Sequence, residues 1–232
     1  THFKKTSLVI ELNIENTPFI DFHTHQLRHA ESDDILEILS INFGENKVKN
    51  LYTIGFHPWS CGENFSEPNL DAVSQIFEDD EKCLGWGECG LDKLIDCDAT
   101  NQLLIFEQQL DRANRLECSI VIHCVRAYDT LLKLKPNYPK IKNWVIHGYA
   151  RHEILAKTLM NAGFYLSIAP HEKSSLGLLK TMREMPIDRL FLETDSASWL
   201  DIRHIYELVS KERKMDLDDL KRQVIENCKN FF

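Results

Sequence analysis

Short apolar segments alternate with polar tips and amphipathic stretches along most of the chain. The first clear example is Phe19-Ile20-Asp21-Phe22, which follows Thr17-Pro18 and leads into His23-Thr24-His25. A short apolar run bounded by proline predicts a buried strand. Similar runs predict strands over residues 51–55, 83–87, 119–122, 144–146, 164–168 and 190–192.

Amphipathic segments with helical spacing separate most of these strands. The clearest covers residues 100–116, where Leu103, Phe106 and Leu110 recur on one face. Further helices are predicted over residues 69–78, 129–134, 151–162, 174–185, 201–214 and 216 to about 230. Residues 33–43 fit either a short helix that leads into a strand or one helix, and residues 7–14 have strand-like alternation.

The unit of strand, polar tip and helix recurs about eight times, and this rhythm predicts the fold. Strands that alternate with helices pair in parallel, so the pattern favours an α/β fold, a closed (β/α)8 TIM-type barrel. We expect a single domain over residues 1–232, with residues 1–18 as a lead-in strand or extension. The alternative is an open doubly wound sheet. The barrel is favoured because no glycine-rich dinucleotide-binding loop follows the first strand.

Composition narrows the class of protein. The 232 residues are 43% hydrophobic and 27% charged, which is typical of a globular chain. The net charge of -9 argues against a wide basic surface for gripping duplex nucleic acid. No apolar run approaches the roughly 18 residues of a membrane span, and no signal-peptide core is evident. We therefore expect a cytoplasmic protein without membrane association.

The cysteines indicate a reduced protein. There are seven, an odd number, and no two of them form a CxxC pair. Cys89 and Cys124 each stand next to a candidate metal ligand, so a soft-metal site is one interpretation. The interpretation we favour is that these two thiols are small buried apolar side chains.

Metal-ligating side chains recur where the predicted strands end. In a barrel, the carboxyl ends of the strands converge on one face, so these side chains would line one pocket. Four imidazoles and two carboxylates suit divalent transition ions, and a carboxylate can bridge two of them. The six residues are His23, His25, Glu88, His123, His147 and Asp195.

The segments around these residues resemble the TatD family of metal-dependent hydrolases. The matching segments are His23-Thr24-His25, Gly55-Phe56-His57-Pro58, Gly87-Glu88-Cys89-Gly90-Leu91-Asp92, Ile122-His123-Cys124, His147-Gly148, Leu192-Glu193-Thr194-Asp195-Ser196 and the closing Glu226-Asn227-Cys228-Lys229-Asn230-Phe231. The resemblance implies a TIM-type barrel of the amidohydrolase superfamily with one or two divalent ions, Mg, Mn or Zn. It also implies deoxyribonuclease activity, commonly exonucleolytic from the 3′ end.

The resemblance also implies roles for individual residues. His23 and His25 would hold one ion, His123 and His147 the other, and Glu88 would bridge the two.

Further roles follow from the same resemblance. Asp195 would bind the first ion and act as general base on the attacking water. His57 would contact a substrate phosphate or its leaving oxygen, or would be a structural histidine at a proline-fixed turn. Glu193 and Asp92 would support the ligands, or would only cap loops.

Three departures from the family pattern concern substrate binding. Val125 occupies the position of the family arginine, and Arg126 stands one residue further on. Arg151, in a segment that replaces the usual Phe-x-Gly, is a possible substitute cation. The segment 196–200 is shorter than the family's loop, which predicts a more open pocket wall where Trp199 could stack on a base.

Three hypotheses for function follow. The leading one is a metal-dependent nuclease that acts on DNA ends, because two bound metal ions would supply locally the positive charge that the acidic chain lacks. The second is a hydrolase of a small ester, amide or phosphoester. The third is a binding protein that has lost catalysis. No obligate protein partner is evident from the sequence.

Overall fold

Eight parallel strands lie in the sheet in the same order as they occur in the chain. The computed structural model describes residues 18–29, 32–45 and 49–232. Its strands are β1 (Phe19–Thr24), β2 (Ile35–Asn42), β3 (Tyr52–Gly55), β4 (Cys83–Asp92), β5 (Ile120–Val125), β6 (Trp144–Ile146), β7 (Phe164–Ile168) and β8 (Leu190–Leu192). Most of their residues are buried, as expected for parallel strands covered on both faces.

Seven α-helices occupy the described part of the chain. They are α1 (Glu67–Asp79), α2 (Ala99–Leu116), α3 (Tyr128–Leu134), α4 (Glu153–Asn161), α5 (Leu176–Glu184), α6 (Ile202–Arg213) and α7 (Leu217–Phe231). Several of them are capped at their first turn by a side chain. Asp98, for example, accepts a hydrogen bond from the Asn101 N–H at 2.8 Å at the beginning of α2. No helix of the described residues is long and apolar enough to cross a membrane.

The first and last strands meet through backbone hydrogen bonds. The Asp195 N–H donates to the His23 carbonyl at 2.9 Å, and the His25 N–H donates to the Asp195 carbonyl at 3.4 Å. Inside this seam, the rings of Phe22 and Phe191 stack at 3.9 Å. The predicted (β/α)8 barrel is therefore confirmed, with β1 and β8 side by side.

The fold differs from the sequence prediction near the beginning of the barrel. For residues 33–43 the sequence predicts either a short helix that leads into a strand or one helix. The structure forms strand β2 there and no helix, so the prediction of a helix is wrong. Its apolar residues are buried on both faces, and a run of that kind has no periodicity that separates a strand from a helix. In the described residues, helices alternate with strands only after β3. The predicted strand over residues 7–14 lies outside the described residues, and the single-domain extent of 1–232 stays a prediction.

Two glycines bring β4 and β5 close together beside the polar strand ends. A Cβ at Gly90, where φ is +147°, would lie 2.0 Å from the His123 carbonyl oxygen. A Cβ at Gly87, where φ is +142°, would lie 2.4 Å from the Val121 carbonyl oxygen. Because only glycine tolerates both the conformation and the contact, these positions set the place of Glu88 against β5.

All seven cysteines are free thiols. Cys89 and Cys124 are buried, and burial raises the pKa of the Cys124 thiol to about 12. The Cys89 thiol donates to the Val121 carbonyl at 3.7 Å. This arrangement supports buried packing for both residues.

Candidate metal centre

The carboxyl ends of the strands surround one cleft of about 570 Å³. Five of the six predicted ligands line it, and the sixth, His23, is buried within contact distance of Glu88. His57, Trp59 and Ser40 also line this cleft. The structure therefore brings together all six predicted ligands and His57.

Glu88 lies at the centre of the histidines. Three imidazole nitrogens surround its Oε1: His147 Nε2 at 2.6 Å, His57 Nε2 at 2.9 Å and His123 Nδ1 at 2.9 Å. The Glu88 side chain is 3% exposed, so its charge faces these groups rather than water. A buried carboxylate requires partners of this kind.

The second oxygen of Glu88 faces a different pair. His23 Nε2 lies 3.3 Å and His25 Nε2 3.4 Å from Glu88 Oε2. Asp195 Oδ1 lies 3.3 Å from His25 Nε2 and 4.0 Å from His23 Nε2. The carboxylate thus stands between two groups of side chains.

Three sets of ligand atoms are close enough to share an ion. One is His23, His25 and Glu88; a second is His57, Glu88 and His123; a third is His23, His147 and Asp195. The first two sets lie on opposite oxygens of Glu88, and the third connects them. This geometry fits a one-ion or a two-ion centre with Glu88 in the middle.

The two acidic groups of the centre are ionised. Burial opposes ionisation of Glu88, but the charge of His147 and hydrogen bonds from His123 and His147 hold its pKa well below the usual range. Burial likewise opposes ionisation of Asp195, yet the hydrogen bond from His25 and the charge of His147 lower its pKa to about 2. Both carboxylates are therefore available to cations at neutral pH.

The imidazoles respond in different directions. Hydrogen bonds to Asp195 and Glu88 raise the pKa of His25 to about 9. Burial would lower the pKa of His147, but the nearby Glu88 charge and the contact with Glu193 hold it well above its ordinary value. Burial and the charge of His147 lower the pKa of His23. The imidazoles of the centre therefore differ in how readily they take up a proton.

His123 is oriented from behind by Asp92. Asp92 Oδ2 lies 3.1 Å from His123 Nε2 and also accepts a hydrogen bond from Trp59 Nε1 at 2.8 Å. With an ion bound, a proton on His123 Nε2 would leave the Nδ1 lone pair free to coordinate it. Carboxylate support of this type is typical of metal-ligating histidines.

Two other buried carboxylates support the strand ends. Glu193 Oε1 lies 3.7 Å from His147 Nδ1 and accepts a hydrogen bond from the Gly148 N–H at 2.5 Å. Asp21 accepts hydrogen bonds from the Thr194 N–H at 2.9 Å and the Thr194 hydroxyl at 2.5 Å. Asp21 therefore binds the β8 end rather than the histidines beside it.

One unpartnered buried nitrogen indicates that the centre suits a cation. His23 Nε2 is buried beside Glu88 and makes no hydrogen bond to any described residue. A buried polar atom without a partner is costly, and an ion is one way to satisfy it. The mixture of imidazoles and carboxylates is also the donor set that divalent transition ions take.

His57 makes a hydrogen bond to a backbone group of its own turn. Its Nδ1 accepts a hydrogen bond from the Trp59 N–H at 3.1 Å. The proton of the neutral ring must then reside on Nε2, which faces Glu88. In this tautomer His57 offers the cleft a hydrogen-bond donor, so only Glu88 and His123 of the set that contains it remain as ligands for an ion.

Three of the four predicted substrate contacts lie away from this cleft, and only His57 lines it. Arg126, with φ of +56°, and Arg151 are exposed and do not line it. Trp199 lines a neighbouring cleft with His171. Substrate contact by these residues stays a prediction.

Several residues at or behind the site were missed in the sequence. Ser40 donates to Glu88 Oε2 at 3.4 Å, but it belongs to the segment whose secondary structure was ambiguous. On α2, Gln102 and Gln109 bind backbone groups at the ends of β4 and β3. The sequence does contain a signal for these two glutamines, because both are polar residues on the apolar face of an amphipathic helix.

Comparison with known proteins identifies the family of this chain. The sequence profile described as TatD related DNase matches residues 22–232. The 3′-5′ ssDNA/RNA exonuclease TatD of Erwinia tasmaniensis is 29% identical over 202 residues, covering 78% of this chain and 77% of that protein. An uncharacterized metal-dependent hydrolase of Haemophilus influenzae is 24% identical over 213 residues, covering 77% of this chain and 80% of that protein.

The crystal structure of YJJV, a TatD homolog from Escherichia coli K12, superposes with a TM-score of 0.79. It is 20% identical and covers 92% of this chain and 97% of that chain. This likeness supports the barrel, and the profile match extends from β1 through the last helix. The chain therefore belongs to the TatD related DNase family of metal-dependent hydrolases, as its strand-end motifs predicted.

Proposed function

We propose that this protein is a deoxyribonuclease that removes nucleotides from the 3′ end of single-stranded DNA with the help of divalent ions. The observation that carries the proposal is the position of Glu88, whose two oxygens face separate groups of histidines. Family membership and the activity named for the Erwinia relative support the substrate class.

The ligands of the proposed ions follow the division around Glu88. His23, His25 and Asp195 would hold one ion, His123 and His147 the other, and Glu88 would bridge them. The described geometry is also compatible with a single ion. Mg, Mn and Zn are the candidates, because each accepts carboxylate ligands and the imidazoles suit the transition metals.

The chain's own groups divide the chemistry between them. Bound divalent ions would lower the pKa of a water molecule and withdraw charge from the phosphodiester. Asp195, whose pKa is lowered to about 2 and whose side chain is 35% exposed, would take the proton of the attacking water. His57 Nε2–H is placed to donate to the phosphate or its leaving oxygen. Attack at phosphorus with loss of the 3′ oxygen would release a nucleoside 5′-monophosphate.

The charge of the cleft supports action at the ends of a nucleic acid. Among the described residues that line the cleft, none is lysine or arginine, while Glu45 and Glu63 are present. A nucleic acid would therefore be held mainly through the phosphate next to the ions. One terminal phosphodiester satisfies this requirement, whereas tracking a duplex requires a row of cations. The seven free cysteines support a reducing compartment, such as the cytoplasm.

The same absence of cations favours a second candidate function. A metal-dependent hydrolase of a small ester, amide or phosphoester would need the ions and the base but no strand-binding surface. It differs from the nuclease in a measurable way, since it would turn over small model esters and leave oligonucleotides intact.

The test uses chelator-treated protein reloaded with Mg²⁺, Mn²⁺ or Zn²⁺ and a single-stranded oligonucleotide labelled at its 5′ end. Glu88→Gln and Asp195→Asn are assayed beside wild type. Glu226→Gln is the matched control, because Glu226 pairs with Lys229 on the surface of α7. A metal-dependent ladder of shortened strands, lost in the first two variants and kept in the control, is the expected result.

Two outcomes would contradict the proposal. Intact oligonucleotide with every ion, from protein that binds metal, would favour the small-molecule hydrolase. Cleavage at internal positions without a ladder would contradict exonuclease action.

A further inference from the structure

A second cleft lies beside the metal centre, beyond the segment that follows Asp195. Its volume is about 660 Å³. The loop after β7 supplies His171 and Lys173 to it, while Trp199 and Lys211 come from the region of α6. Nothing in the chemistry described above uses this cleft.

Trp199 presents an open aromatic face to the second cleft. Its side chain is 68% exposed, which is unusual for tryptophan. The His171 ring meets it at 5.0 Å with an interplanar angle of 89°, so this contact covers at most one face of the indole. An exposed indole of this kind is suited to stacking on a nucleobase.

The two clefts are held at a short, fixed distance. Ser196 lines the first cleft and Trp199 the second, and three residues of chain span at most ~11 Å. Arg28 fixes the segment between them, since it donates to the carbonyls of Ala197 at 3.0 Å and Leu200 at 3.3 Å. A strand bound at the metal centre can therefore reach Trp199 within a few nucleotides.

The second cleft also offers the cations that the first one lacks. Lys173 and Lys211 line it, and neither forms an ion pair with a described residue. Carboxylates of Glu172, Glu207 and Asp201 are present as well, but Asp201 is paired with Arg203 at 3.4 Å. The mixture of an open aromatic ring and scattered lysines matches sequence-tolerant binding of a single strand.

We propose that the second cleft is a binding subsite for a nucleotide upstream of the cleaved bond. Its base stacks on Trp199, and its phosphate lies near Lys173 and Lys211. This inference rests on the proposed nuclease function, because it assigns the second cleft to the same substrate strand.

The test compares substrates of two lengths. A dinucleotide occupies only the metal centre, whereas a single strand of ~10 nucleotides also reaches the second cleft. Trp199→Ala is expected to lower kcat/KM for the longer strand about tenfold more than for the dinucleotide, mainly through KM. Trp199→Phe is expected to keep part of the kcat/KM for the longer strand that Trp199→Ala loses. Leu104→Ala, which truncates an exposed side chain on α2, is the control and should leave kcat/KM unchanged for both substrates.

Binding is measured in parallel, so that the two proposals fail separately. Fluorescence anisotropy of the labelled ~10-nucleotide strand on chelator-treated protein requires no cleavage. Weaker binding by Trp199→Ala supports the subsite whether or not wild type cleaves DNA. Equal affinity of wild type and Trp199→Ala, or an equal loss of kcat/KM for both lengths, overturns it. Absence of cleavage by wild type would instead contradict the proposed nuclease.

Discussion

The side-chain amide of Gln109 binds both backbone polar groups of Phe56. Its Oε1 accepts from the Phe56 N–H at 2.9 Å, and its Nε2 donates to the Phe56 carbonyl at 3.1 Å. The same Oε1 accepts from Trp86 Nε1 at 3.1 Å. Because Phe56 precedes His57, this one side chain links α2 to the position of the proposed donor histidine.

Gln109→Ala should therefore destabilise the fold. The change leaves three buried groups without their partner, and each costs ~1–3 kcal/mol, so we expect a loss of at least ~3 kcal/mol in the free energy of unfolding. Urea denaturation measures it. Gln108→Ala, on the same helix but only half-buried, is the control and should cost under ~1 kcal/mol. Equal costs for the two variants would contradict the assigned bonds.

His57→Asn should separate substrate activation from metal binding. The asparagine Oδ1 can still accept from the Trp59 N–H, but the donor to the cleft is lost. We expect kcat on oligonucleotide to fall ~100-fold with metal content unchanged. His152→Asn is the control, since His152 Nδ1 caps α4 in the same way, outside the cleft. Loss of metal from His57→Asn would make His57 a ligand and contradict its assignment.

Asp92→Asn should weaken metal binding through His123. The aspartate charge favours a proton on His123 Nε2 and so keeps Nδ1 free for an ion. We expect ~10–100-fold lower affinity, measured by competition with a chromogenic chelator. Trp59→Phe removes the other partner of the same oxygen and should have a smaller effect. An unchanged affinity in Asp92→Asn would show that Asp92 only caps its loop.

Arg28→Lys should loosen the segment after Asp195. One ammonium group cannot replace the two nitrogens of the guanidinium, since Nη1 donates to the carbonyls of Ala197 and Leu200 while Nη2 donates to the Asp195 carbonyl at 3.4 Å. The Ala197 N–H bonds to the Thr194 carbonyl at 3.0 Å, so its hydrogen exchange reports on this segment. We expect faster exchange there, corresponding to ~1–2 kcal/mol less protection. Arg222→Lys, on the surface of α7, should leave that amide unchanged.

Asp34 should contribute a small, pH-dependent stabilisation. The Arg203 guanidinium binds both of its oxygens, at 2.9 and 3.2 Å, and lowers its pKa to about 2. A carboxylate with a depressed pKa stabilises the fold above its unfolded pKa of ~4, and loses that effect as the pH falls towards 2. Because the pair is exposed, Asp34→Asn should cost under ~1 kcal/mol at pH 7. The cost should shrink at pH 3 and in 1 M salt; a cost independent of pH would contradict this origin.

The sequence predicted the location of the candidate site better than its internal arrangement. Convergence of His23, Glu88 and Asp195 required only that each stand near the carboxyl end of a parallel strand, which hydrophobic patterning indicates. The predicted strand over residues 83–87 was too short, because β4 continues past Glu88 to Asp92. Which nitrogen of His57 carries the proton depends on the turn at Pro58–Ser60. The histidines that each oxygen of Glu88 contacts depend on the rotation of the Glu88 side chain. Neither is encoded in local spacing.

Long-range contacts account for the remaining differences. Arg28 reaches a loop that lies 169 positions away at Ala197, and no pattern near Arg28 indicates that partner. Residues 35–42 form a strand because both faces are covered by the barrel, which is a property of the tertiary structure. Gln102 and Gln109 were detectable in principle, since core positions of a helix seldom carry amides.

The seam between β1 and β8 has a consequence for the order in which the molecule assembles. Thr24 and Asp195, which pair there, are 171 positions apart, so the contact closes one of the largest loops in the chain. Contacts of such high sequence separation carry a large entropic cost and form slowly. His23, His25 and Asp195 are joined at that seam, so their shared half of the site cannot exist before the last strand docks. Acquisition of metal affinity during refolding should therefore mark the completion of the barrel.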